Sequence, residues 1–247
     1  MKKAVQVLAT YFGDRRNYPY NKIQVFEVLE RQIHSAQQLD AGIDCDLLIV
    51  NHDIEDPQVT TYLSSISGTK TKNGVVKVLH RPIVNSDLSF GSYKYAFHKF
   101  ENEYDYWFFI EDDILPLRKN YVKEMISIIE GDPQVGFIAA LNFKTAHPFS
   151  FDEEGYIKSV GHLRWVPHAH GGVGLTSTQI LQELRTKNPS YFDTPNINQT
   201  SHSISEGGYA GDHVEVEFTY AFSQIDYKLK VYSPGTYFER LQDGEKL

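Results

Sequence analysis

The 247-residue chain holds a single cysteine, Cys45, so it can form neither an internal disulfide nor a cysteine-rich zinc site. Cys45 stands just before the apolar run L-L-I-V and reads as a buried structural thiol rather than a nucleophile. Positive charge is also scarce. Lys and Arg number 24 against 32 Asp and Glu, for a net charge of -8, and no basic footprint for nucleic acid is present. An anionic substrate must therefore be held locally, by a metal, a loop or a few cations, because the field of the whole chain opposes it. No segment approaches the ~20 apolar residues of a membrane span. The apolar stretch after Lys2 and Lys3 is too short for a secretory signal, so a cytoplasmic location is expected. Repeats and low-complexity tracts are missing. So are G-x-x-x-x-G-K-[ST] and G-x-G-x-x-G, which leaves a Walker-type nucleotidase and a dinucleotide enzyme without support.

What the chain does have is alternation. Short apolar runs at Ala4 to Phe12, Cys45 to Asn51, Val75 to Leu79, Tyr106 to Ile110 and Val135 to Leu141 predict strands. Helical periodicity falls between several of them: Asn21 to Gln38, with Ile23, Phe26 and Ile33 inward and charge and Gln outward, then Ser92 to Asn102 and Tyr121 to Ile129. Such alternation predicts an α/β protein with a mostly parallel central sheet covered on both faces. Beyond Thr145 the pattern loosens. Turns and short strands are expected to Pro167, with a hairpin around Glu154-Gly155. A helix capped by Thr176 or Ser177 should run to Lys187, followed by a long polar loop from Asn188 to Gly211. A further helix then opens with G-D-H-V-E-V-E-F, and K-L-K-V-Y-S-P gives a last strand. One domain over residues 1–247 is expected, with a regular, nucleotide-fold-like half (1–145) and an irregular half (146–247).

The run Y-D-Y-W-F-F-I-E-D-D-I-L-P, Tyr104 to Pro116, raises the main chemical question, because it ends in three adjacent carboxylates. Crowding them is costly unless something positive or hydrogen-bonding meets them. An acidic turn is the plain alternative. A doubly buried strand ending here would, however, place Glu111, Asp112 and Asp113 at the carboxyl end of a parallel sheet, where ligands bind. Mg²⁺ or Mn²⁺ commonly takes one or two carboxylates there and completes its shell from substrate phosphates. If the extended conformation persisted, Glu111 and Asp113 would share a side and Asp112 would point elsewhere.

The stretch F-F-I-E-D-D-I-L-P resembles the D-x-D region of nucleotide-sugar glycosyltransferases of the GT-A fold. Y-D-Y-W and the helix from Gly91 to Phe100 before it resemble the same segment of glycosyltransferase family 2. The first acidic position here is Glu111 where the family usually has Asp. The resemblance implies a GT-A α/β/α sandwich, a UDP-, GDP- or dTDP-sugar donor, Mn²⁺ or Mg²⁺ on Asp113, and a ribose or metal role for Glu111. It places Thr10 on the base and Asp53 on the base or ribose. It also matches H-A-H-G-G-V-G-L to an acceptor-side turn at His170, Gly171 and Gly172. Counted back from I-D-Y-K, Glu215 falls on the family's catalytic Asp, and a shifted register would put Asp212 there instead. Both belong to the first turn of the proposed helix, where a base stays deprotonated. Glu217 reads as structural.

Around this frame, Tyr11 could stack on a base. Phe12, Asn51 and Asp112 complete the strand-end set, and Arg16 within G-D-R-R could reach a diphosphate. His213, His168 and His170 are candidate third metal ligands or phosphate donors, and Arg164 with Trp165 could hold a phosphate and a sugar face. The implied reaction is a metal-dependent, inverting transfer of a sugar to a glycan or other hydroxyl acceptor. Two rival readings stand beside it: a sugar-1-phosphate nucleotidyltransferase, and a non-catalytic carbohydrate- or nucleotide-binding domain.

Overall fold

Each predicted run of the first 145 residues forms an element of the computed structural model, whose described residues are 2–10, 12, 22–52, 56–82, 88–140, 150–151, 157–158, 169, 172–189, 218, 221–232, 238–240 and 245–246. The strands β1 (Ala4–Thr10), β2 (Cys45–His52), β3 (Val76–Arg81), β4 (Tyr106–Glu111) and β6 (Val135–Ala139) are the expected ones. The helices α1 (Lys22–Gln38), α3 (Leu88–Phe100) and α4 (Tyr121–Gly131) alternate with them. The chain adds α2 (Pro57–Ile66), β9 (Gly174–Ser177), α5 (Thr178–Lys187) and β10 (Lys228–Val231).

These strands make one seven-stranded sheet in the order β10-β6-β9-β4-β1-β2-β3. All run in one direction except β9, which pairs antiparallel with both β4 and β6. Strands from residues 174–177 and 228–231 thus enter the same sheet as those of the first half. β1 and β6 are buried at every residue, as expected of strands covered on both faces. Successive residues of β4 reveal the two covering layers. Trp107 and Phe109 pack on Phe97 and Tyr93 of α3, at ring distances of 5.2 and 4.6 Å, whereas Phe108 meets Tyr121 of α4 at 5.5 Å. A helical segment containing Phe218 and residues 221–223 adds to the α3 side. Its Phe218 ring lies 5.0 Å from Phe90, 5.4 Å from Phe137 and 6.0 Å from Phe109.

Three features depart from the sequence-based expectation. The segment Gly174–Ser177, expected only to lead from the acceptor-side Gly-Gly turn into the helix cap, is a central strand, and Ser177 at its end caps α5 as expected, accepting from the Ile180 N–H. The buried hydroxyl of Thr176 is satisfied by donating to the Gly136 carbonyl at 2.7 Å. α2 was not anticipated, although Asp56 caps it through the Gln58 N–H and Pro57 opens its first turn. Gln32 lies on the buried stripe of α1, beside Val25, Val28, Leu29 and Ile33, rather than on its outer face. Two small sheets flank the main one: β12 (Glu245–Lys246), β11 (Phe238–Arg240) and β5 (Ile114–Pro116), and the expected hairpin of β7 (Ser150–Phe151) with β8 (Ile157–Lys158).

At the amino ends of the strands, one carboxylate ties four of them together. Asp46 of β2 is buried. It accepts from the Tyr104 hydroxyl at 2.9 Å and the Val75 N–H at 3.0 Å, and its Oδ2 lies 2.8 Å from Lys3 Nζ and 3.6 Å from Lys77 Nζ. Both ammonium groups also stand about 5 Å over the Tyr104 ring. The neighbouring Cys45 thiol is pushed up to about 12 by burial and by the Asp46 charge, so it stays protonated and inert, as its sequence setting suggested.

Candidate functional site

The site follows from strand order. β1, β2 and β3 are laid outward in one direction, after which the chain returns through α3 and places β4 on the other side of β1. Ligands of open α/β sheets bind at such a reversal, beyond the carboxyl ends of the strands. Thr10 and Glu111 end the two strands that flank it, with Ala9 and Glu111 in register.

The acidic triplet is sorted by a turn, not by strand alternation. Glu111 is the last residue of β4, and Asp112 and Asp113 make the turn into β5. Asp112 is buried, and its Oδ2 accepts from the Thr10 hydroxyl at 3.0 Å. The Gln32 amide, also buried, donates to the carbonyls of Asp112 at 3.0 Å and Ile114 at 2.5 Å. Glu111 and Asp113 keep partial exposure, and Ser89 in the first turn of α3 lies 3.4 Å from Glu111 Oε1. Asp112 is thus drawn inward, whereas its two neighbours stay partly exposed.

The remaining strand-end residues differ in accessibility. The Thr10 hydroxyl is committed to Asp112, and Phe12 is a buried ring 5.1 Å from Phe26. Asn51, at the register position between Thr10 and His80, is only 1% exposed. Among the described residues neither atom of its amide has a hydrogen-bond partner. A buried amide without partners costs stability unless something else meets it, which marks Asn51 as a ligand-contact candidate. Gly172 has φ +66°, and a Cβ there would come within 2.5 Å of the Phe90 ring. Its missing side chain therefore serves close packing against α3. Gly172→Ala is expected to destabilise the fold by about 2 kcal/mol, which thermal melting should register as a fall of roughly 4–8 °C.

Tyr11, Arg16, Asp53, Trp165, His170, Gly171, Asp212, His213 and Glu215 lie outside the described residues, as do Arg164 and His168. Phe218, three positions beyond Glu215, is anchored in the ring cluster that includes Phe109 of β4 and Phe90 of α3. Sequence reasoning missed Gln32, Ser89 and the buried Arg81 that ends β3. For Arg81 the signal was available, a cation separated only by His80 from the apolar Val78-Leu79 and standing just before Pro82. For Gln32 no local signal existed.

A divalent cation fits this donor set in one particular way. Among the described residues no three His, Cys, Asp or Glu side chains converge as a metal cage. Glu111 and Asp113 are partly exposed hard-oxygen donors, a set that would suit Mg²⁺ or Mn²⁺ sharing one or two carboxylates with phosphate and water.

This architecture is a GT-A-like α/β fold, a mostly parallel Rossmann-type sheet between helical layers. No protein-family model matches the chain, and no characterised protein matches it by sequence. Solved structures match it by shape. The structure of CMP:2-keto-3-deoxy-manno-octonic acid synthetase complexed with CTP aligns with a TM-score of 0.56 at 13% identity, covering 94% of this chain and 89% of that one. S. aureus TarS residues 1–349 align with a TM-score of 0.52 at 14% identity, covering 96% of this chain and 59% of that one. At these identities the likeness is one of fold. Among the described residues no helix is long and apolar enough to cross a membrane.

Proposed function

We propose that this chain is a single-domain, metal-dependent glycosyltransferase that moves a sugar from a nucleotide-sugar donor to a glycan or other hydroxyl acceptor with inversion. The observation that carries the reading is the acidic turn at the sheet's reversal point, with Asp112 fixed to Thr10 and Glu111 and Asp113 partly exposed beside it. In this reading Glu111 and Asp113 hold Mn²⁺ or Mg²⁺, which when bound neutralises charge on the donor diphosphate. Asn51 offers its unpartnered amide to the nucleotide, with Asp53 and Tyr11 beside it, and Thr10 and Phe12 form the floor. Arg16 reaches the diphosphate. Trp165, His170 and Gly171 meet the acceptor, and His213 completes the metal shell. Asp212 or Glu215 takes the proton of the acceptor hydroxyl as it attacks.

A second reading, sugar nucleotidyltransferase, is favoured by the fold likeness to a synthetase that holds CTP. Thermal unfolding with UDP, GDP, CDP, dTDP and ADP, and with CTP and UTP, each with and without Mn²⁺, separates the two. A ligand at 100 times its dissociation constant adds about 2.7 kcal/mol, or roughly 5–10 °C for a chain of this size. The glycosyltransferase reading expects a Mn²⁺-dependent rise of that order with one nucleoside diphosphate. A rise confined to a triphosphate would favour the nucleotidyltransferase, and no rise with any nucleotide would remove both.

A further inference from the structure

Gln32 is the anomaly of α1. The helix turns Val25, Val28, Leu29 and Ile33 inward, and a fifth inward residue, an amide only 1% exposed, interrupts that apolar stripe. Leu or Met would fill such a slot without the cost of burying a polar group. The amide is not even fully satisfied, since Oε1 has no hydrogen-bond partner among the described residues. What it does make is two donations from one nitrogen, to the carbonyls of Asp112 and Ile114. The Asp112 carbonyl belongs to the peptide plane that enters Asp113 and the Ile114 carbonyl to the plane that leaves Ile114, so the two bonds bracket the Asp113-Ile114 pair. With the bracket closed at both ends, and with Ile114 buried and paired to Arg240 of β11, the short segment that carries Asp113 has little room to shift. The Thr10 hydroxyl fixes the adjacent Asp112 side chain at a third point. The clamp thus runs from α1 and β1 into the turn, and none of its three bonds uses an oxygen of the Asp113 side chain.

We infer that Gln32 is a positioning residue, one that sets the direction of the Asp113 carboxylate for a divalent cation it does not itself touch. The inference rests on the proposed function, in that it takes Asp113 as a metal-holding carboxylate. Groups that orient a metal's ligands change its affinity by about 10–100-fold when removed. A purely structural amide would instead show only in the melting temperature.

The test is Mn²⁺ binding followed by the electron paramagnetic resonance signal of the free ion. Mn²⁺ is titrated alone, then with the nucleoside diphosphate giving the largest thermal shift, at a temperature well below each variant's melting point. Gln32→Met keeps the length of the side chain and removes both donations. It is expected to weaken Mn²⁺ about 10–100-fold while metal-free nucleotide binding stays at the wild-type value. Gln32→Asn retains an amide too short to reach both carbonyls. It should weaken Mn²⁺ in the same direction, and it carries the test if the Met variant does not fold. Wild-type Mn²⁺ affinity in either folded variant, with Asp113→Asn clearly weakened, would overturn the positioning role and leave the proposed function standing. If Asp113→Asn also binds as wild type, or the wild type takes up no Mn²⁺, the metal reading falls and this inference falls with it.

Discussion

Asp113→Asn is expected to abolish the Mn²⁺-dependent part of nucleotide binding, erasing a thermal rise of roughly 5–10 °C, and to slow sugar transfer about a thousandfold. The substitution is nearly isosteric, so the turn should keep its shape. The contacts that Thr10 and Gln32 make to it do not use the Asp113 side-chain oxygens. What is lost is one negative charge and one hard oxygen at the partly exposed corner of the triplet. An amide oxygen carries no formal charge, and a cation shared with a diphosphate depends on the few protein carboxylates it has. A leaving diphosphate left without about 4 kcal/mol of charge stabilisation gives the stated loss of rate. Two measurements check the result: melting with and without Mn²⁺, and release of nucleoside diphosphate from the matching sugar donor. A variant that melts, binds Mn²⁺ and turns over as the wild type does would remove Asp113 from the site. Asp112→Asn should behave differently. Asp112 sits inside, against Thr10, so its loss is expected first in stability.

The contrast between those two neighbours marks where sequence stops being informative. Strands β1, β4 and β6 were legible because burial on both faces demands near-continuous apolar runs, and W-F-F-I, V-G-F-I-A and, but for Gln6, A-V-Q-V-L-A are such runs. β9 was not legible. It crosses between β4 and β6, where Gly174 brings the backbone so close that a Cβ would lie 2.3 Å from the Ile138 carbonyl oxygen. Gly-Leu-Thr-Ser under that constraint looks like a turn until its neighbours are known. The acidic triplet stood out because three carboxylates after an apolar strand require an explanation. Its division of labour depends on Thr10, about a hundred residues upstream, and on the Gln32 amide, neither of which local pattern can pair with it. An amphipathic reading of α1 assigns Gln to the outer face by polarity alone. Only the tertiary fold supplies the two carbonyls that make burying it tolerable.

Asp46→Ala is expected to cost about 3–5 kcal/mol, a fall in melting temperature of roughly 6–20 °C, the largest stability effect proposed for this chain. The reason lies in what the substitution strands. Tyr104 and Val75 lose a buried acceptor, and Lys3 and Lys77 lose the anion they converge on, at the amino ends of β1, β3 and β4. Burial alone would push the Asp46 carboxyl up. The Lys3 ammonium, the Val75 N–H and the Tyr104 hydroxyl outweigh it and hold the group below the usual carboxylate range. A depressed folded-state value contributes stability that is complete above the unfolded value of about 4 and is lost as pH falls through the folded one. On the basic side Lys3 is raised, chiefly by its hydrogen bond to Asp46, so its share is complete below the unfolded value of about 10.4 and is lost as pH climbs past it. Asp46→Asn should therefore flatten the stability profile at both ends. Chemical denaturation at a series of pH values would read this directly. Asp40, Glu130 and Glu183 are also held low and keep part of the acid slope in the variant. The difference between the two profiles, not either alone, carries the Asp46 contribution. Parallel profiles offset by a constant would mean that Asp46 acts by shape and hydrogen bonding rather than by charge. The cluster lies at the opposite end of the strands from the acidic turn, so metal affinity in the folded Asp46→Asn variant should match the wild type.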